Sequence, residues 1–177
     1  MPNIRSIISS HNKKVLNDTK PLEIGGCNCQ VRNRQNCPLD GHCMTPNVMY
    51  EATVNSPEYY LEEYYLEQLY VGISEPPFKI RHGNHNRNFN NEEYAKSTEL
   101  SKEVWKIKNR GFNPTIKWKI IKQLPAYNPE NKKCQLCLGE KIEILNRDPV
   151  NLLNKRSELI STCRHRNKYL IHQYDVT

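Results

Sequence analysis

The sequence predicts an α+β fold, a small three-stranded antiparallel sheet flanked by helices, preceded by a cysteine-rich segment. Stretches rich in β-branched and aromatic residues occur at 47–54, 68–74 and 115–124, and each is typical of a strand. No helical pattern separates the first two, which favours an antiparallel pair joined by a long loop. The third stretch alternates Ile116, Trp118 and Ile120 with lysines, as expected of a half-exposed strand.

Helices are predicted after the second and third strands. The first begins near Pro77, since proline suits the first turn of a helix. The second is capped by Ser97 or Thr98 and ended by Gly111. A third spans 134–147, and we expect its inward face to consist of Leu138, Ile142 and Leu145. A further helix or loop follows, so the predicted order is β-β-α-α-β-α-α.

The chain divides into four predicted parts. Residues 1–26 are polar with little periodicity and are interpreted as a tether. The cysteine-rich segment is 27–46, the main domain is 47–170, and 171–177 form a C-terminal tail.

Composition favours a polyanionic partner such as nucleic acid. Twenty-six basic residues against nineteen acidic ones give a net charge of +7, and the isoelectric point is near 9.0. Mean hydropathy is −0.82, and no apolar run approaches the ~20 residues of a membrane span. The first residues lack the apolar core of a signal peptide, so an intracellular location is expected.

The first cysteine cluster follows a metal-ligand pattern. Its spacing is C-x-C-x7-C-x5-C, formed by Cys27, Cys29, Cys37 and Cys43. The segment has almost nothing apolar to pack, and four thiolates can enclose one Zn²⁺. His42 is an alternative ligand, and a reduced loop without metal is the alternative to zinc. An odd total of seven cysteines without an export signal argues against a disulfide framework.

A second potential zinc site lies further along the chain. Cys134 and Cys137 have C-x2-C spacing, with Cys163 and His165 downstream. The alternative is that these cysteines are small buried residues of an amphipathic helix.

A third group has the chemistry of phosphodiester cleavage. Cleavage requires a base, cations that stabilise the pentavalent phosphorus, and a carboxylate that holds a divalent metal. Residues of these types are Tyr50, Tyr70, Lys79, Arg81, His85 and Glu140. Each also has an ordinary structural explanation, so these residues alone leave the question open.

The motifs resemble those of a known nuclease family. "MY…YVG", with an arginine eleven residues after the second tyrosine, resembles the GIY-YIG endonucleases. Together with the cysteines of "CNCQ…CPLDGHC", the stretches "STELSKEVWKIK", "TIKWKI", "CQLCLGEKIEI" and "LLNKRSELISTCRHRNKYLI" resemble the endonuclease domain of Penelope-like retroelements. The first motif keeps only its tyrosine, since it reads Val48-Met49-Tyr50.

The resemblance implies a role for each residue of the site. Tyr50 and Tyr70 match the two motif tyrosines, the first of which usually serves as general base, and Lys79 is close enough in sequence to help ionise it. Arg81 matches the arginine that binds the scissile phosphate, and His85, one turn later, is expected to face the substrate with it. The remaining matches are Gly72, for close backbone approach to substrate, Glu140, which binds Mg²⁺ or Mn²⁺, and Asn154, which supports the site.

The expected function is therefore a metal-dependent DNA endonuclease that nicks its target strand. The resemblance further implies a nuclear location, a reverse transcriptase in the parent polyprotein, and a nick whose 3′-hydroxyl primes reverse transcription. Two alternatives remain open at this point. One is a non-catalytic, zinc-dependent nucleic-acid-binding module, or a decayed nuclease copy; the other is a zinc-stabilised protein-interaction domain.

Overall fold

The computed structural model describes residues 3–19, 26–29, 37–56, 67–160, 162–163, 165 and 171. It confirms an α+β architecture with a three-stranded antiparallel sheet. The strands are β1 (Val48–Asn55), β2 (Gln68–Ser74) and β3 (Thr115–Gln123), in the order β2-β1-β3. The helices are α1 (Ile4–Thr19), α2 (Phe78–Asn90), α3 (Glu99–Asn109) and α4 (Gln135–Asn146), with short 3₁₀ turns at Glu92–Tyr94 and Arg156–Ile160.

The strand boundaries agree closely with those predicted from the sequence, because alternation and turn residues mark their ends. Thr98 is the N-cap of α3, and its side chain accepts a hydrogen bond from the Ser101 N–H. Gly111 follows α3 with a φ of 87°, a conformation that ends a helix with little cost only in glycine.

Helices cover both faces of the sheet. On one face, alternate β1 residues beginning at Val48 pack with Phe78 of α2 and with Leu100 and Val104 of α3. On the other face, Met49 and Val71 pack with Ile144 of α4. The first residues of the central strand β1 are therefore buried on both sides, and the elements bearing the predicted site residues converge around this strand.

A β-bulge interrupts the pairing of β3 with β1. Tyr50 pairs with Ile120, but Met49 pairs with Lys122, so Ile121 is an extra residue in the ladder. Ile121 packs against the smaller cluster on the α4 face, opposite the face to which Ile120 contributes.

Residues 4–19 of the predicted tether form α1, and one sequence prediction about a helix is wrong. The predicted inner face of α4 points outward, since Leu138, Ile142 and Leu145 are 59%, 49% and 65% exposed. The buried residues of α4 are Leu136 and Ile144 instead.

Some predictions fall outside the described residues. The tyrosine-rich connector lies mostly at 57–66, and the tail beyond Ile171 is also outside them. No helix in the described ranges combines the length and apolar character of a membrane span.

Candidate nuclease site and metal centres

The hydroxyl of Tyr50 is the centre of a buried polar group. Tyr50 is 0% exposed, and its Oη accepts a hydrogen bond from Arg81 Nε at 3.0 Å. The same oxygen lies 2.7 Å from His85 Nε2. Arg81 and His85 are one turn apart on α2, so one strand residue and one helix face form the group.

His85 is a neutral imidazole in this environment. It is 1% exposed and lies among the rings of Tyr50, Phe89 and Trp118. The pKa of His85 is lowered to about 3, mainly by burial and in part by the charges of Arg81 and His82. Among the residues that the structure describes, Nδ1 has no hydrogen-bond partner.

The unpartnered Nδ1 indicates which tautomer is present. A buried N–H without an acceptor is rarer and costlier than a buried lone pair without a donor. We therefore assign the proton to Nε2, which then donates to Tyr50 Oη. The Tyr50 oxygen thus accepts hydrogen bonds from both His85 and Arg81. These two bonds fix the direction of the Arg81 guanidinium.

Glycine is required at position 72 because the Tyr50 side chain, rather than a substrate, approaches the backbone there. Tyr50 and Gly72 are directly paired across β1 and β2. A Cβ at position 72 would lie 2.5 Å from Tyr50 Oη and 2.7 Å from Tyr50 Cζ. Since the Tyr50 ring is fully enclosed, any side chain at 72 would displace the hydroxyl that holds Arg81.

A groove of about 650 Å³ opens beside this buried group. Its lining includes Tyr70, Arg81 and Glu140, which come from β2, α2 and α4. Burial acts to lower the pKa of Arg81, but the hydroxyls of Tyr50 and Tyr70 outweigh it and raise the pKa. The guanidinium therefore stays charged, and it bridges the buried tyrosine and the tyrosine that lines the groove.

Glu140 lies on the sheet-facing side of α4. It is four residues from both Leu136 and Ile144, the two buried residues of that helix, and is itself half-buried. This 136–140–144 row was missed in the sequence because α4 carries apolar residues on several sides. The row could have been found by asking which helical face contains both apolar residues and the expected carboxylate.

Besides Tyr50 and Gly72, three predicted site residues lie outside the groove lining: Lys79, His85 and Asn154. His85 lies behind Tyr50 and does not face a substrate. Lys79 is not the cation beside the tyrosines, because its Nζ lies 2.6 Å from Asn28 Oδ1 and 3.8 Å from Cys29 Sγ. Sequence proximity to Tyr70 suggested otherwise, but the helix turns Lys79 toward the cysteine cluster.

Asn154 supports the strand that carries Tyr70 and Gly72. Its Oδ1 accepts from the Val71 N–H at 2.7 Å, and its Nδ2 donates to the Val71 carbonyl at 2.9 Å. Asn154 thus pairs with the free edge of β2 as a neighbouring strand would. Backbone bonds between Leu69 and residues 151 and 153 extend this pairing.

The first cysteine cluster has the dimensions of a tetrahedral metal site. The ligand atoms of Cys27, Cys29, Cys37 and Cys43 all lie within 4.8 Å of one another. Three of the sulfur–sulfur distances are 3.6, 3.6 and 3.8 Å. Bonds of about 2.3 Å from a zinc ion would place tetrahedral sulfur atoms about 3.8 Å apart.

The sulfur atoms of this cluster differ in their environments, since burial and the neighbouring cysteines raise the pKa of Cys43 to about 12, whereas Cys37 has backbone donors. Burial acts to raise the pKa of Cys37, but the N–H groups of Leu39 and Gly41 lower it to about 7. The Gly41 N–H lies 3.2 Å from the Cys37 sulfur. The Lys79 ammonium adds positive charge near the cluster, which partly offsets the negative charge of four thiolates. His42 is exposed and is not one of the clustered residues.

The cysteine loop also caps α2, the helix that carries Arg81. The N–H of Lys79 donates to the Cys43 carbonyl at 2.7 Å, and the N–H of Phe78 donates to the Thr45 carbonyl at 3.1 Å. These bonds satisfy N–H groups that the first helical turn leaves without intrahelical partners. The cysteine loop therefore fixes the start of the helix that carries Arg81 and His85.

The second cluster also fits a tetrahedral site. Cys134, Cys137, Cys163 and His165 place their ligand atoms within 4.8 Å of one another. His165 Nδ1 is 3.2, 3.4 and 3.7 Å from the three sulfur atoms. A zinc tetrahedron would give about 3.6 Å for such a nitrogen–sulfur separation. These cysteines are thus brought together, whereas separate buried thiols were the alternative.

The two clusters can hold a metal such as zinc, and they lie at the starts of the two helices that carry Arg81 and Glu140. Cys134 is the N-cap of α4, and its sulfur accepts a hydrogen bond from the Cys137 N–H. Hydrogen bonding from Cys137, aided by His165, lowers the pKa of Cys134 to about 3 despite burial. The arrangement favours at least one thiolate in the cluster.

Comparison of this chain with protein-family models, curated proteins and solved structures found no match.

Proposed function

We propose that this protein is a divalent-metal-dependent DNA endonuclease that hydrolyses one phosphodiester bond of its target, with zinc in both cysteine clusters. The observation that carries the proposal is the position of Arg81. Its Nε is held by a buried tyrosine, while its guanidinium lines a groove together with Tyr70 and Glu140. The order β-β-α-α-β-α from β1 to α4 also supports the GIY-YIG resemblance.

Arg81 is the expected phosphate ligand. A guanidinium has five N–H donors, so one bond from Nε to Tyr50 leaves donors on the terminal nitrogens for phosphate oxygens. These donors would also stabilise the negative charge that develops on the oxygens in the transition state. Tyr50 and His85 act as positioning residues, because they orient Arg81 without lining the groove.

Tyr70 is better placed than Tyr50 to serve as the general base. Tyr50 is completely enclosed, whereas Tyr70 lines the groove and interacts with Arg81. The Tyr70 hydroxyl, with the Arg81 guanidinium beside it, is thus placed to take a proton from the attacking water. The water oxygen bonds to phosphorus, the ester oxygen departs as the 3′-hydroxyl after protonation by solvent, and a 5′-phosphate remains.

Glu140 fits the requirement of a single divalent cation in the groove. Mg²⁺ is commonly held by one or two carboxylates plus substrate phosphate and water, and Mn²⁺ takes the same oxygen ligands. Glu140 would supply the protein ligand, and the cation, when bound, would offset charge on the phosphate. The net charge of +7 favours association with DNA.

A pair of arginine variants on one helix tests the proposal. Arg81→Ala and Arg87→Ala each remove one positive charge from α2, but Arg87 is exposed and lies over the Tyr94 ring. We expect Arg81→Ala to lose at least ~100-fold in plasmid nicking, as loss of a transition-state donor does. Arg87→Ala should nick at nearly the wild-type rate. Equal nicking by the two variants would contradict the assigned site.

The same assay distinguishes the non-catalytic alternative. Plasmid nicking and DNA binding are measured on the same preparations of the wild type and both variants. If the wild-type protein binds DNA but does not nick it with Mg²⁺ or Mn²⁺, the protein is a zinc-stabilised binding module or a decayed nuclease. If it neither binds nor nicks, the interaction-domain alternative gains support.

A further inference from the structure

The ring of His165 lies between the second cysteine cluster and a carboxylate. Its Nδ1 faces the three sulfur atoms, as described above, while its Nε2 lies 3.3 Å from Glu75 Oε2. A metal-bound histidine commonly donates its second N–H to a carboxylate, which fixes the ring and makes the nitrogen a better ligand. This geometry is the one expected if Nδ1 binds a metal.

We propose that Glu75 is the outer carboxylate of the second metal site. The metal thereby links α4 to the end of β2, and this metal link sets the position of Glu140. The catalytic consequence depends on the function proposed above, whereas the metal-binding role of Glu75 does not.

Glu75 is attached to the rigid part of the domain. It directly follows β2, three residues after Gly72, and its backbone carbonyl accepts the N–H of Asn47 at 3.0 Å. Asn47 immediately precedes β1. A bond from His165 to Glu75 therefore connects the metal to the two strands that carry Tyr50 and Tyr70.

Glu140 lies on the α4 side of the same metal link. Cys137 and Glu140 are three residues apart on α4 and line the same groove. With metal bound, Cys134 and Cys137 hold the first turn of α4, and His165 holds Glu75. The distance across the groove between Glu140 and the strand end is then set by the metal–ligand bonds together with the hydrogen bond from His165 to Glu75.

The competing explanation is that Glu75 is a second ligand for the divalent cation of the groove. Glu75 and Glu140 both line this groove, so their positions alone permit it. The two explanations differ in what zinc can restore. If Glu75 acts through the zinc site, saturating zinc should compensate for its loss; if it binds the groove cation, zinc should not.

The direct test measures zinc affinity in the full-length protein by competition with a chelator. We expect Glu75→Ala to weaken one of the two zinc sites about 10- to 100-fold and to leave the other unchanged. Glu75→Gln keeps an acceptor atom, so its loss should be smaller. Glu92→Ala removes an exposed acidic residue outside both clusters and should bind both metals as the wild type does.

Cobalt substitution identifies which site has changed. A site with three thiolates and one imidazole absorbs visible light differently from a site with four thiolates. The Cys₃His spectrum should appear only at higher cobalt concentration in Glu75→Ala, while the four-cysteine spectrum keeps its wild-type titration. Wild-type affinity at both sites in Glu75→Ala would overturn the proposal.

Nicking rates at limiting and at saturating zinc test the catalytic consequence. Glu75→Ala should lose activity at limiting zinc and recover it when zinc is saturating. Activity that is lost and not recovered would assign Glu75 to the groove cation and overturn the proposed metal link. If the wild type does not nick at all, the proposed function fails, while the zinc and cobalt measurements still decide the role of Glu75.

Discussion

Replacing Gly72 by alanine should destabilise the protein, although alanine is intrinsically the better residue in a strand. The new Cβ would lie 2.5 Å from Tyr50 Oη, so this oxygen must retreat by about 1 Å to reach an ordinary van der Waals separation. Overpacking of this kind costs about 1–3 kcal/mol. Stretching the bonds to Arg81 and His85 leaves two buried donors poorly paired, at about 1–3 kcal/mol each.

These contributions set the expected size of the effect. The intrinsic gain of alanine over glycine offsets about 0.5–1 kcal/mol. We therefore expect a net loss of at least about 2 kcal/mol in the free energy of unfolding, rising to about 8 kcal/mol if both donors lose their bonds completely. Nicking should fall about 100-fold, because a displacement of about 1 Å in a positioned group has that order of effect.

Gly83→Ala is the matched control. Gly83 lies in α2, and a Cβ there would meet nothing within 4 Å. This change should stabilise the protein by about 0.5–1 kcal/mol, since glycine weakens a helix. The two variants are compared by urea unfolding and plasmid nicking. Unchanged stability and activity in Gly72→Ala would refute the close packing of Tyr50 against β2.

Three further predictions concern the buried polar contacts. His85 binds a proton below pH ~6.5 in the unfolded state but only near pH 3 in the native state. Lowering the pH from 7 to 5 should therefore reduce the free energy of unfolding by up to ~2 kcal/mol. Urea unfolding should show a smaller reduction in His85→Gln. Asn154→Ala leaves the Val71 N–H and carbonyl unpaired and should lower unfolding stability by about 2–4 kcal/mol; a change within ~0.5 kcal/mol would contradict this. Tyr70→Phe should abolish the rise of the single-turnover nicking rate with pH, while Tyr50→Phe lowers the rate but keeps its pH dependence, and the reverse pattern would exchange their roles.

The sheet was predictable because its signal is local. Alternation in β3 and the turn residues around β1 and β2 mark boundaries that packing did not alter. The bulge at Ile121 was not predicted, since it depends on how β3 aligns with β1.

The inner face of α4 was mispredicted for a different reason. Apolar residues occur on several sides of this helix, so two faces satisfy helical periodicity equally well. Packing of Leu136 and Ile144 toward the sheet selects one of them, and the cysteine cluster holds the start of the helix. Neither interaction is encoded in local spacing.

The site residues likewise divide into features that follow from local sequence and features that depend on long-range contacts. Arg81 and His85 were expected to share a helix face because they are one turn apart, and the fold brings both to the Tyr50 hydroxyl. The residue types alone did not assign their roles. The direction of Lys79 and the burial of His85 depend on long-range contacts with Asn28 and Trp118. Such contacts become visible only when the chain is folded.

The most direct test of the account is plasmid nicking by Glu140→Ala. Its matched control is Glu130→Ala, because Glu130 is an exposed acidic residue in a turn. The assay is run with Mg²⁺ and with Mn²⁺ on proteins shown to have equal zinc content and equal melting temperature. The account predicts that the wild type and Glu130→Ala nick, while Glu140→Ala binds DNA without cutting it. Wild-type nicking by Glu140→Ala would contradict the assignment of the groove as the nuclease site.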